Sequence, residues 1–479
     1  MGPAPGASTI IFTACCSCLH SGIHVDSPPT APSLTTSYAH GTSTRSLLSS
    51  TVAQTLQNAA ERWPDREAVV FLQDGVRKTL SEFQRDVDQA AAGLLALGLK
   101  RGERLGIWGP NIYEWILTLF AAAKAGVILV SVNPAYQALE LEYALKKVGV
   151  SAVVCPTQFK TQNYVDMLRQ LCPEMDTAVP GDIRSKRLPD LRTVVVTDSR
   201  QPGTFHISEL MQAGSSRHHQ DLEDLQKKIL CDDPVNIQFT SGTTGAPKGA
   251  SLSHHNIVNN IGYGTTENSP VTFMGFPIDS LDRKTDTVGC ILPHTEAKIV
   301  DPSSGQIVPL GAQGEIMIRG YCVMLEYWND AAKTQDCITK EGWYKTGDVA
   351  TMDAFGYCKI EGRIKDMIIR GGENVYPAEI EQFLHTHPKV HEAQVVGVKD
   401  QRMGEEICAC INLKQGQDCS AEEIRAYCKG QVSLPAHSFR QDSEEQAEGR
   451  DGEAASGGAR RGELTEKPHV QDGRTNLIH

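Results

Sequence analysis

The stretch Asn236-Ile-Gln-Phe-Thr-Ser-Gly-Thr-Thr-Gly-Ala-Pro-Lys-Gly249 joins an apolar run to a loop of glycines, hydroxyl side chains and one lysine. Glycines let backbone N–H groups approach an anion closely, and hydroxyl and ammonium groups complete the donor set. The stretch therefore predicts a phosphate-binding loop after a strand, although an ordinary connection between strands fits the composition alone. Its candidate binding residues are Thr240, Ser241, Gly242, Thr243, Thr244, Gly245, Lys248 and Gly249.

The order of residues in this loop differs from that of the P-loop of kinases and GTPases. In the P-loop the lysine is followed by a serine or threonine, whose hydroxyl binds magnesium. Here Lys248 follows Pro247 and precedes Gly249. The pattern therefore argues against a kinase-like or GTPase-like nucleotide site.

The composition around this loop is that of an ordinary globular enzyme. The chain has 479 residues, 40% hydrophobic and 22% charged, which excludes collagen, a coiled coil and wholesale disorder and predicts about three domains or subdomains. A net charge of -12 predicts no non-specific nucleic-acid binding. The longest apolar stretch, 115–132, is interrupted by Lys124 and Gly126, which predicts a helix and a buried strand rather than a transmembrane segment.

Two kinds of hydrophobic pattern alternate along the N-terminal half. Apolar residues fall at helical spacing from Thr51 and again over 80–99, and β-branched runs occupy 68–71, 127–132, 152–155 and 193–197. Alternation of this kind is typical of a mainly parallel sheet covered by helices. The predicted fold class is α/β: a large N-terminal region of parallel sheets packed by helices, a small α+β C-terminal lid domain and a disordered tail.

Four motifs in this chain carry a resemblance to a known superfamily. They are Thr240-Ser-Gly-Thr-Thr-Gly-Ala-Pro-Lys-Gly249, Tyr263-Gly-Thr-Thr-Glu267, Tyr344-Lys-Thr-Gly-Asp348 and the run from Gly362 to Pro377. Their order and content resemble those of the acyl-adenylate-forming (AMP-binding) superfamily of acyl-CoA synthetases, luciferases and peptide-synthetase adenylation domains. The resemblance covers about 37–433 and is nearest to the mitochondrial medium-chain acyl-CoA synthetases.

This resemblance implies a reaction and its small-molecule partners. A medium-chain fatty acid reacts with ATP to give an acyl-adenylate and pyrophosphate, and coenzyme A, the co-substrate, then displaces AMP. Attack of one anion on another calls for charge neutralisation, which Mg²⁺ and positioned donors supply. The resemblance thus implies an AMP-forming medium-chain acyl-CoA ligase of fatty acid metabolism that uses ATP, Mg²⁺ and coenzyme A. The oligomeric state stays open.

The resemblance also assigns roles residue by residue. Thr266 donates to the α-phosphate and Glu267, the second catalytic residue, holds the magnesium ion. Asp348 accepts hydrogen bonds from the ribose hydroxyls and Arg363 also reaches the ribose. Lys365 is the hinge about which the C-terminal domain rotates.

One further position is implied by the resemblance. Gly372 matches a glycine beside the pantetheine tunnel, where a side chain would obstruct coenzyme A. His254 and His255, in contrast, match the opening of the helix after the phosphate loop and are interpreted as mainly structural.

The domain organisation follows from the same comparison. We expect a disordered leader over 1–44, an AMP-binding N-terminal domain over 45–365, a truncated lid over 366–433 and a disordered tail over 434–479. A family segment of small-domain size is missing near 260–263, and the tail lacks the family's Gly-Lys motif, so activity of this chain is open. The alternatives are a non-catalytic form that retains partial nucleotide binding, and an adenylating enzyme with an acceptor other than coenzyme A.

Localisation is predicted from the resemblance and from the leader. The family relationship implies a mitochondrial protein, and the leader is poor in acidic residues as presequences are. The first arginine, however, is Arg45, and no lysine precedes it. A cytoplasmic location is therefore the alternative.

Overall fold

The computed structural model describes residues 22–72, 74–240, 247–259, 264–269, 272–370, 373–375, 377–428 and 476–478. The chain divides into two compact units. The first contains the residues up to 346 together with 351–359, and the second contains 347–350 and the residues from 360 onward. The division near 360 falls close to the expected domain boundary at 365.

The helices and strands are numbered in chain order. The helices are α1 (Val52–Arg62), α2 (Leu80–Ala96), α3 (Tyr113–Lys124), α4 (Ala138–Val148), α5 (Tyr164–Leu171), α6 (Ile207–Ala213), α7 (Ser216–Gln226), α8 (His254–Val258), α9 (Leu281–Asp286), α10 (Ala331–Cys337), α11 (Pro377–His385) and α12 (Ala421–Cys428). The first strands are β1 (Gly22–His24), β2 (Tyr38–Thr42), β3 (Glu67–Phe71), β4 (Val76–Thr79), β5 (Arg104–Trp108), β6 (Ile128–Val132), β7 (Val150–Cys155), β8 (Gln158–Phe159), β9 (Gln162–Asn163), β10 (Thr193–Val196), β11 (Phe205–His206), β12 (Pro234–Thr240) and β13 (Lys248–Ser253). The remaining strands are β14 (Phe273–Met274), β15 (Gly289–Ile291), β16 (Thr295–Val300), β17 (Gly314–Gly320), β18 (Glu326–Tyr327), β19 (Tyr344–Met352), β20 (Tyr357–Arg363), β21 (Ile368–Arg370), β22 (Glu373–Val375), β23 (Val390–Asp400), β24 (Gly404–Leu413) and β25 (Asn476–Ile478).

The phosphate-loop segment belongs to an eight-stranded sheet in the order β11-β10-β7-β5-β6-β12-β13-β18. Strands β5, β6, β7, β10, β11 and β12 pair in parallel, whereas β13 and β18 pair antiparallel at one edge. Strands β6, β7 and β10 are buried along their whole length, as continuous apolar runs predict for a sheet covered on both faces. The predicted mainly parallel sheet is confirmed.

Helices cover both faces of this sheet and form two separate cores. On one face α2 and α3 pack against Leu105, Ile107 and Leu129. On the other face α4 and α5 pack against Trp108, Val130 and Val132. Helices α1 and α2 begin as the sequence suggests, because Thr51 with Gln54 and Thr79 with Glu82 form capping boxes.

A second eight-stranded sheet of the order β1-β2-β16-β17-β19-β20-β15-β14 includes part of the expected leader. Strand β2 pairs antiparallel with β16 through Ala39, which is fully buried opposite Ala297. The expectation of a disordered leader is therefore wrong for 22–24 and 38–42. These residues form strands because β2 pairs with β16, which is distant in sequence. The local sequence pattern does not predict a pairing partner of this kind.

The second unit contains the expected α+β lid. Strands β21 to β24 form a sheet, and its core includes Ile368, Leu384, Val395 and Ile411. Within the predicted disordered tail, strand β25 pairs antiparallel with β24, so the expectation is wrong for 476–478. Residues 434–475 and 479 lie outside the described residues. Across the described chain no helix combines the length and apolar character needed to cross a membrane.

Candidate functional site

The glycine-rich loop connects two antiparallel strands at one end of the parallel sheet. Thr240, the last residue of β12, pairs directly with Lys248, the first residue of β13. Strand β12 runs parallel to β6, so the loop emerges where the carboxyl ends of the parallel strands meet. Five predicted binding residues, Ser241, Gly242, Thr243, Thr244 and Gly245, lie outside the described residues. The described ends of the loop place Thr240 and Lys248 side by side.

Lys248 lies over the ring of Tyr327, with its Nζ 4.7 Å from the ring centroid. Tyr327 is only 3% exposed and stands in β18, which pairs with β13 through Ala250. The ring attracts the ammonium group through its negative face. The position of the Lys248 ammonium group therefore depends on a residue from the strand next to its own.

Glu267 lies within a short 3₁₀ helix, Thr266–Asn268, and reaches the same tyrosine. The hydroxyl of Tyr327 donates a hydrogen bond to Glu267 Oε1 over 2.8 Å. The backbone N–H of Met324 donates to the carbonyl oxygen of Glu267 over 2.7 Å. Oε2 accepts no hydrogen bond from the described part of the chain. The structure thus brings the predicted phosphate-binding lysine and the predicted magnesium ligand to one buried tyrosine.

Burial determines the protonation of the groups around Tyr327. It raises the pKa of the Tyr327 hydroxyl far above its ordinary value, and the carboxylate of Glu267 raises it further. Burial likewise raises the pKa of the nearby Cys337 thiol to about 11, although the charge of Lys248 acts in the opposite direction. Tyr327 is therefore a permanent hydrogen-bond donor near neutral pH, and Cys337 is protonated rather than a thiolate nucleophile.

Two other predicted residues lie close to this group. Thr266 is half-buried and lines a cavity together with Pro247. Gly249 lies in β13, where an added Cβ would come within 2.9 Å of Ile237 Cγ2. Its carbonyl oxygen accepts a hydrogen bond from the Trp328 N–H over 2.8 Å. Close packing between β12 and β13 therefore favours glycine at 249, independently of any phosphate.

Asp348 and Arg363 form an ion pair in the second unit. Arg363 Nε lies 3.1 Å from Asp348 Oδ1. Asp348 is 4% exposed, whereas nearly half of the Arg363 side chain is open to solvent. The two predicted ribose-binding residues are thus brought together, with the carboxylate buried and the guanidinium accessible. The exposed Lys365 follows in a 3₁₀ helix, Ile364–Asp366, and Gly372 lies outside the described residues.

The histidines that follow the loop have a structural role. Ser253 caps α8, which begins at His254, as the resemblance suggests. His254 is 1% exposed, and its Nδ1 accepts a hydrogen bond from the Val52 N–H over 3.2 Å. Burial lowers the pKa of His254 to about 4. The imidazole is therefore neutral near pH 7 and anchors the start of α1.

Tyr327 is the residue that the sequence interpretation missed. It lies outside the four motifs that carry the resemblance, and a single tyrosine between Glu326 and Trp328 has no distinctive signal. Its contacts to Lys248 and Glu267 span about 60 to 80 residues of sequence. Strand pairing between β13 and β18 creates them, and no spacing rule predicts that pairing.

Comparison with known families identifies the chain. The model of the AMP-binding enzymes matches residues 56–262 and 260–328, and the model of the C-terminal domain of these enzymes matches 379–441. The chain belongs to the AMP-binding enzyme family. The resemblance stated from the four motifs is therefore confirmed. The family shares the α/β fold class predicted from the sequence.

Several relatives of this AMP-binding enzyme carry a functional name. It is 57% identical to the mitochondrial medium-chain acyl-CoA ligase ACSF2 of Danio rerio, with 86% of this chain and 88% of the relative covered. It is 45% identical to the human protein of the same name, with 83% and 85% covered. A putative acyl-CoA synthetase, YngI, of Bacillus subtilis is 34% identical, with 81% and 92% covered.

Solved structures agree with the fold. The anthranilate CoA ligase AuaEII, in complex with anthranoyl-AMP, has a TM-score of 0.66 at 19% identity and covers 79% of this chain and 90% of its own. The fatty acyl-CoA synthetase of Mycobacterium tuberculosis has a TM-score of 0.58 at 21% identity and covers 82% and 93%. At these identities the comparison shows a shared fold.

The alignment with the Danio rerio relative also includes many positions without a residue of this chain. It spans 531 positions, of which 86% of this 479-residue chain fills about 412, so about 120 positions have no residue here, the size of a small domain. The family model matches in two pieces that meet at 260–262. The two pieces meet where the sequence suggests that a family segment is missing.

Proposed function

We propose that this chain activates medium-chain fatty acids through an acyl-adenylate and then forms the acyl-CoA thioester. Family membership and the name of the relative with 57% identity support the substrate class. In the first step the carboxylate oxygen of the acid attacks the α-phosphorus of ATP, and pyrophosphate leaves. In the second step the sulfur of coenzyme A attacks the acyl carbon, and the bond from that carbon to AMP breaks.

The shared contact of Lys248 and Glu267 with Tyr327 carries this proposal. An ammonium group attracts the phosphates of a nucleotide, whereas a carboxylate repels them and attracts the accompanying cation. A nucleotide site therefore needs each group at a fixed position. Tyr327 holds both groups on one buried side chain, at 4.7 Å from Nζ and 2.8 Å from Oε1. Lys248 would pair with the phosphates, and Glu267 would turn its second oxygen toward a cation.

The residues fit a magnesium ion chemically. Magnesium prefers carboxylate oxygen and commonly binds through one or two carboxylates together with substrate phosphates. Glu267 offers that donor, since Tyr327 engages only Oε1. Bound magnesium would neutralise phosphate charge during the attack of the carboxylate.

The remaining predicted residues have assigned parts in the proposal. Thr266 would donate its hydroxyl to the α-phosphate, and the loop residues Thr240, Ser241, Gly242, Thr243, Thr244, Gly245 and Gly249 would surround the other phosphates. Asp348 would accept from the ribose hydroxyls, with Arg363 beside it. Lys365 would be the hinge of the lid, and Gly372 would leave space for the pantetheine arm of coenzyme A.

A second candidate function is nucleotide binding without turnover. The positions without a residue in this chain support it, because they amount to a small domain, and the two matched pieces of the family model meet between β13 and the 3₁₀ helix that contains Glu267. Loss of such a segment removes packing partners from both flanking elements. In this form the Lys248, Tyr327 and Glu267 group would bind ATP and release it unchanged.

A mitochondrial location is part of the proposal. The relatives named ACSF2 are described as mitochondrial, which supports the location implied by the resemblance. Imaging of the full chain with a C-terminal fluorescent tag against a mitochondrial marker tests it. A diffuse signal outside mitochondria would favour the cytoplasmic alternative.

Exchange of labelled pyrophosphate into ATP separates the two candidate functions. With octanoate and magnesium, an active enzyme supports exchange, and Lys248→Ala or Glu267→Gln should lower the rate by about 10²–10³-fold, as loss of a group aimed at developing charge does. Lys146→Ala is the matched control, because Lys146 pairs with Glu142 on the surface of α4. A folded chain that binds ATP but supports no exchange would establish the non-catalytic form.

A further inference from the structure

Two clusters of side chains that can bind a metal ion occur among the described residues, and neither contains a residue of the proposed nucleotide site. One cluster consists of Cys231, Asp232 and His255 in the first unit, and the other consists of His387, Cys419 and Glu423 in the second. Each residue contributes one ligand atom, and the three atoms of a cluster lie within 4.8 Å of one another. The surroundings decide which cluster is available to a metal ion.

A lysine occupies the second cluster. Lys389 Nζ donates hydrogen bonds to both carboxylate oxygens of Glu423, over 2.7 and 3.0 Å. The backbone N–H of Lys389 also donates to Nδ1 of His387 over 3.3 Å. An ammonium group beside the ligand atoms repels a metal cation. The second cluster therefore serves as the comparison for the first.

In the first cluster, backbone hydrogen bonds hold the ligand residues together. The His255 N–H donates to the carbonyl oxygen of Cys231 over 2.7 Å. The neighbouring His254 N–H donates to the carbonyl oxygen of Asp233 over 3.2 Å. The Leu230 N–H donates to Asp233 Oδ2 over 3.0 Å and closes the turn that precedes β12. This turn and the start of α8 are thus fixed against each other.

The carboxylate of Asp232 differs from that of Glu423, because it has no ion-pair partner among the described side chains. Arg101 contacts the same turn but pairs with Asp233, with its Nη2 2.6 Å from Oδ2. Asp232 is exposed, whereas Cys231 and His255 are half-buried. The cluster therefore combines an available carboxylate with a path from solvent, both of which a metal site requires.

His255 adds an independent observation. Its Nδ1 is shielded from solvent and has no hydrogen-bond partner in the described part of the chain. The imidazole meets the edge of the Tyr321 ring at 90°, with ring centroids 5.9 Å apart, which restricts its rotation. A shielded nitrogen without a partner costs free energy. A metal ion bonds imidazole nitrogen at about 2.0 Å and so fits where a water at hydrogen-bond distance does not.

The donor set selects zinc. Thiolate sulfur, imidazole nitrogen and carboxylate oxygen are the ligands of zinc, whereas magnesium and calcium prefer oxygen alone. Zinc bonds of about 2.0–2.3 Å place neighbouring ligand atoms about 3.5 Å apart, so small side-chain movements suffice for coordination. Burial raises the pKa of the Cys231 thiol, and the charge of Asp232 raises it further. Coordination would therefore release the thiol proton, and a water molecule would take the fourth position.

We propose that Cys231, Asp232 and His255 bind one zinc ion, which clamps the turn before β12 to α8. The site lies at the opposite end of the β12-β13 hairpin from the phosphate loop, since Pro234 pairs with Ser253. The seven residues of β12 separate the two ends by about 20 Å. Helix α8 has five residues, too few for stability without outside contacts. The zinc ion would supply such a contact, and its role does not depend on the proposed function.

Cobalt(II) is the probe for this site, because a thiolate-to-cobalt charge-transfer band reports coordination by cysteine. The full chain, freed of metal with a chelator, should bind one equivalent of cobalt with this band, and zinc should displace it. Cys231→Ser should remove the band. His255→Asn should weaken cobalt binding more than about tenfold, since even the loss of an outer-shell partner costs about 10–100-fold. Zinc should raise the Tm of the unmodified chain but not that of either variant.

Two further variants complete the test. Cys419→Ser alters the second cluster and should leave the cobalt affinity, the band and the effect of zinc on the Tm unchanged. Asp232→Asn should weaken cobalt binding about tenfold. Because Asp232 is exposed, this variant keeps the test valid if Cys231→Ser or His255→Asn fails to fold.

Four results would overturn the inference. The first is the absence of cobalt binding by the folded, unmodified chain. The second is binding that survives all three substitutions in the first cluster, which would place the ion elsewhere, for example at the cysteines at 15, 16 and 18. The third is a loss of binding in Cys419→Ser alone, which would assign the ion to the second cluster. The fourth is a bound zinc ion that leaves the Tm unchanged, which would exclude a clamp.

Discussion

Tyr327 donates a hydrogen bond from its hydroxyl to Glu267 Oε1 over 2.8 Å, and its ring lies under the ammonium group of Lys248. The three residues come from different elements: β18, a 3₁₀ helix and β13. One buried side chain thus contacts both the cation and the anion to which we assign roles in nucleotide binding. This arrangement and separate groups in each of the two units lead to four predictions.

Replacement of Tyr327 by phenylalanine should raise the magnesium concentration that pyrophosphate exchange requires, while the fold is kept. The change removes the hydrogen bond to Glu267 but keeps the ring under Lys248. Hydrogen bonds to charged groups contribute about 1.5–3 kcal/mol, so pyrophosphate exchange at limiting magnesium should fall about tenfold or more. The magnesium concentration for half-maximal rate should rise, and kinetics over a magnesium series measures both.

Tyr357→Phe is the matched control for this variant. The hydroxyl of Tyr357 donates to Asp279 Oδ1 over 2.6 Å in another buried tyrosine–carboxylate pair of the first unit. Its loss should lower the free energy of unfolding without a change in magnesium dependence. Equal effects of the two substitutions on magnesium dependence would show that Tyr327 acts through general stability alone.

Asp348→Asn should weaken nucleotide binding. The substitution halves the acceptor capacity toward ribose hydroxyls and leaves Arg363 without its carboxylate partner. We expect the Kd for AMP to rise about tenfold, the equivalent of one charge-assisted hydrogen bond. Glu406→Gln breaks the Arg370–Glu406 pair of the same unit and should leave the Kd unchanged. Equal losses would assign the effect to the stability of the second unit.

Magnesium should increase the thermal stabilisation of the folded chain by ATP. A ligand at 100 times its Kd stabilises the folded state by about 2.7 kcal/mol, so ATP should raise the Tm of the chain. Removal of magnesium with a chelator should lower that gain, and in Glu267→Gln the chelator should have little effect. Glu326→Gln, at an exposed neighbour of Tyr327, should behave as the unmodified chain does. A chelator effect that survives in Glu267→Gln would move the magnesium site elsewhere.

Acidification should destabilise the first unit through His254. Burial lowers the folded-state pKa of His254 to about 4, below the ordinary value of 6.5. The unfolded chain therefore binds the proton first, and stability that is complete above about pH 6.5 is lost as pH falls toward 4. The shift corresponds to about 3 kcal/mol. Urea unfolding at pH 7, 6, 5 and 4 measures this loss.

His254→Asn is the comparison for the pH series. Asparagine keeps an acceptor for the Val52 N–H but does not titrate. Its free energy of unfolding should be lower than that of the unmodified chain at pH 7 and should change less between pH 6.5 and pH 4. Parallel pH curves for the two proteins would assign the acid sensitivity to other groups.

Local patterns predicted much of the fold. The capping boxes at Thr51 and Thr79 begin helices where the apolar spacing begins, and the runs at 127–132, 152–155 and 193–197 became buried parallel strands. The run at 68–71 became β3, which pairs in a separate two-stranded hairpin with β4. Strand character is local, but the choice of partner depends on the rest of the sheet.

By itself, the sequence determined the family and the fold class, because motifs and hydrophobic periodicity lie within short stretches of the chain. Only the tertiary structure decided that 22–24 and 38–42 join a sheet and that Tyr327 connects Lys248 to Glu267. These features need strands far apart in sequence to become neighbours. Strand pairing and side-chain burial of that kind depend on contacts between several segments of the chain. The sequence of one segment is therefore insufficient to predict them.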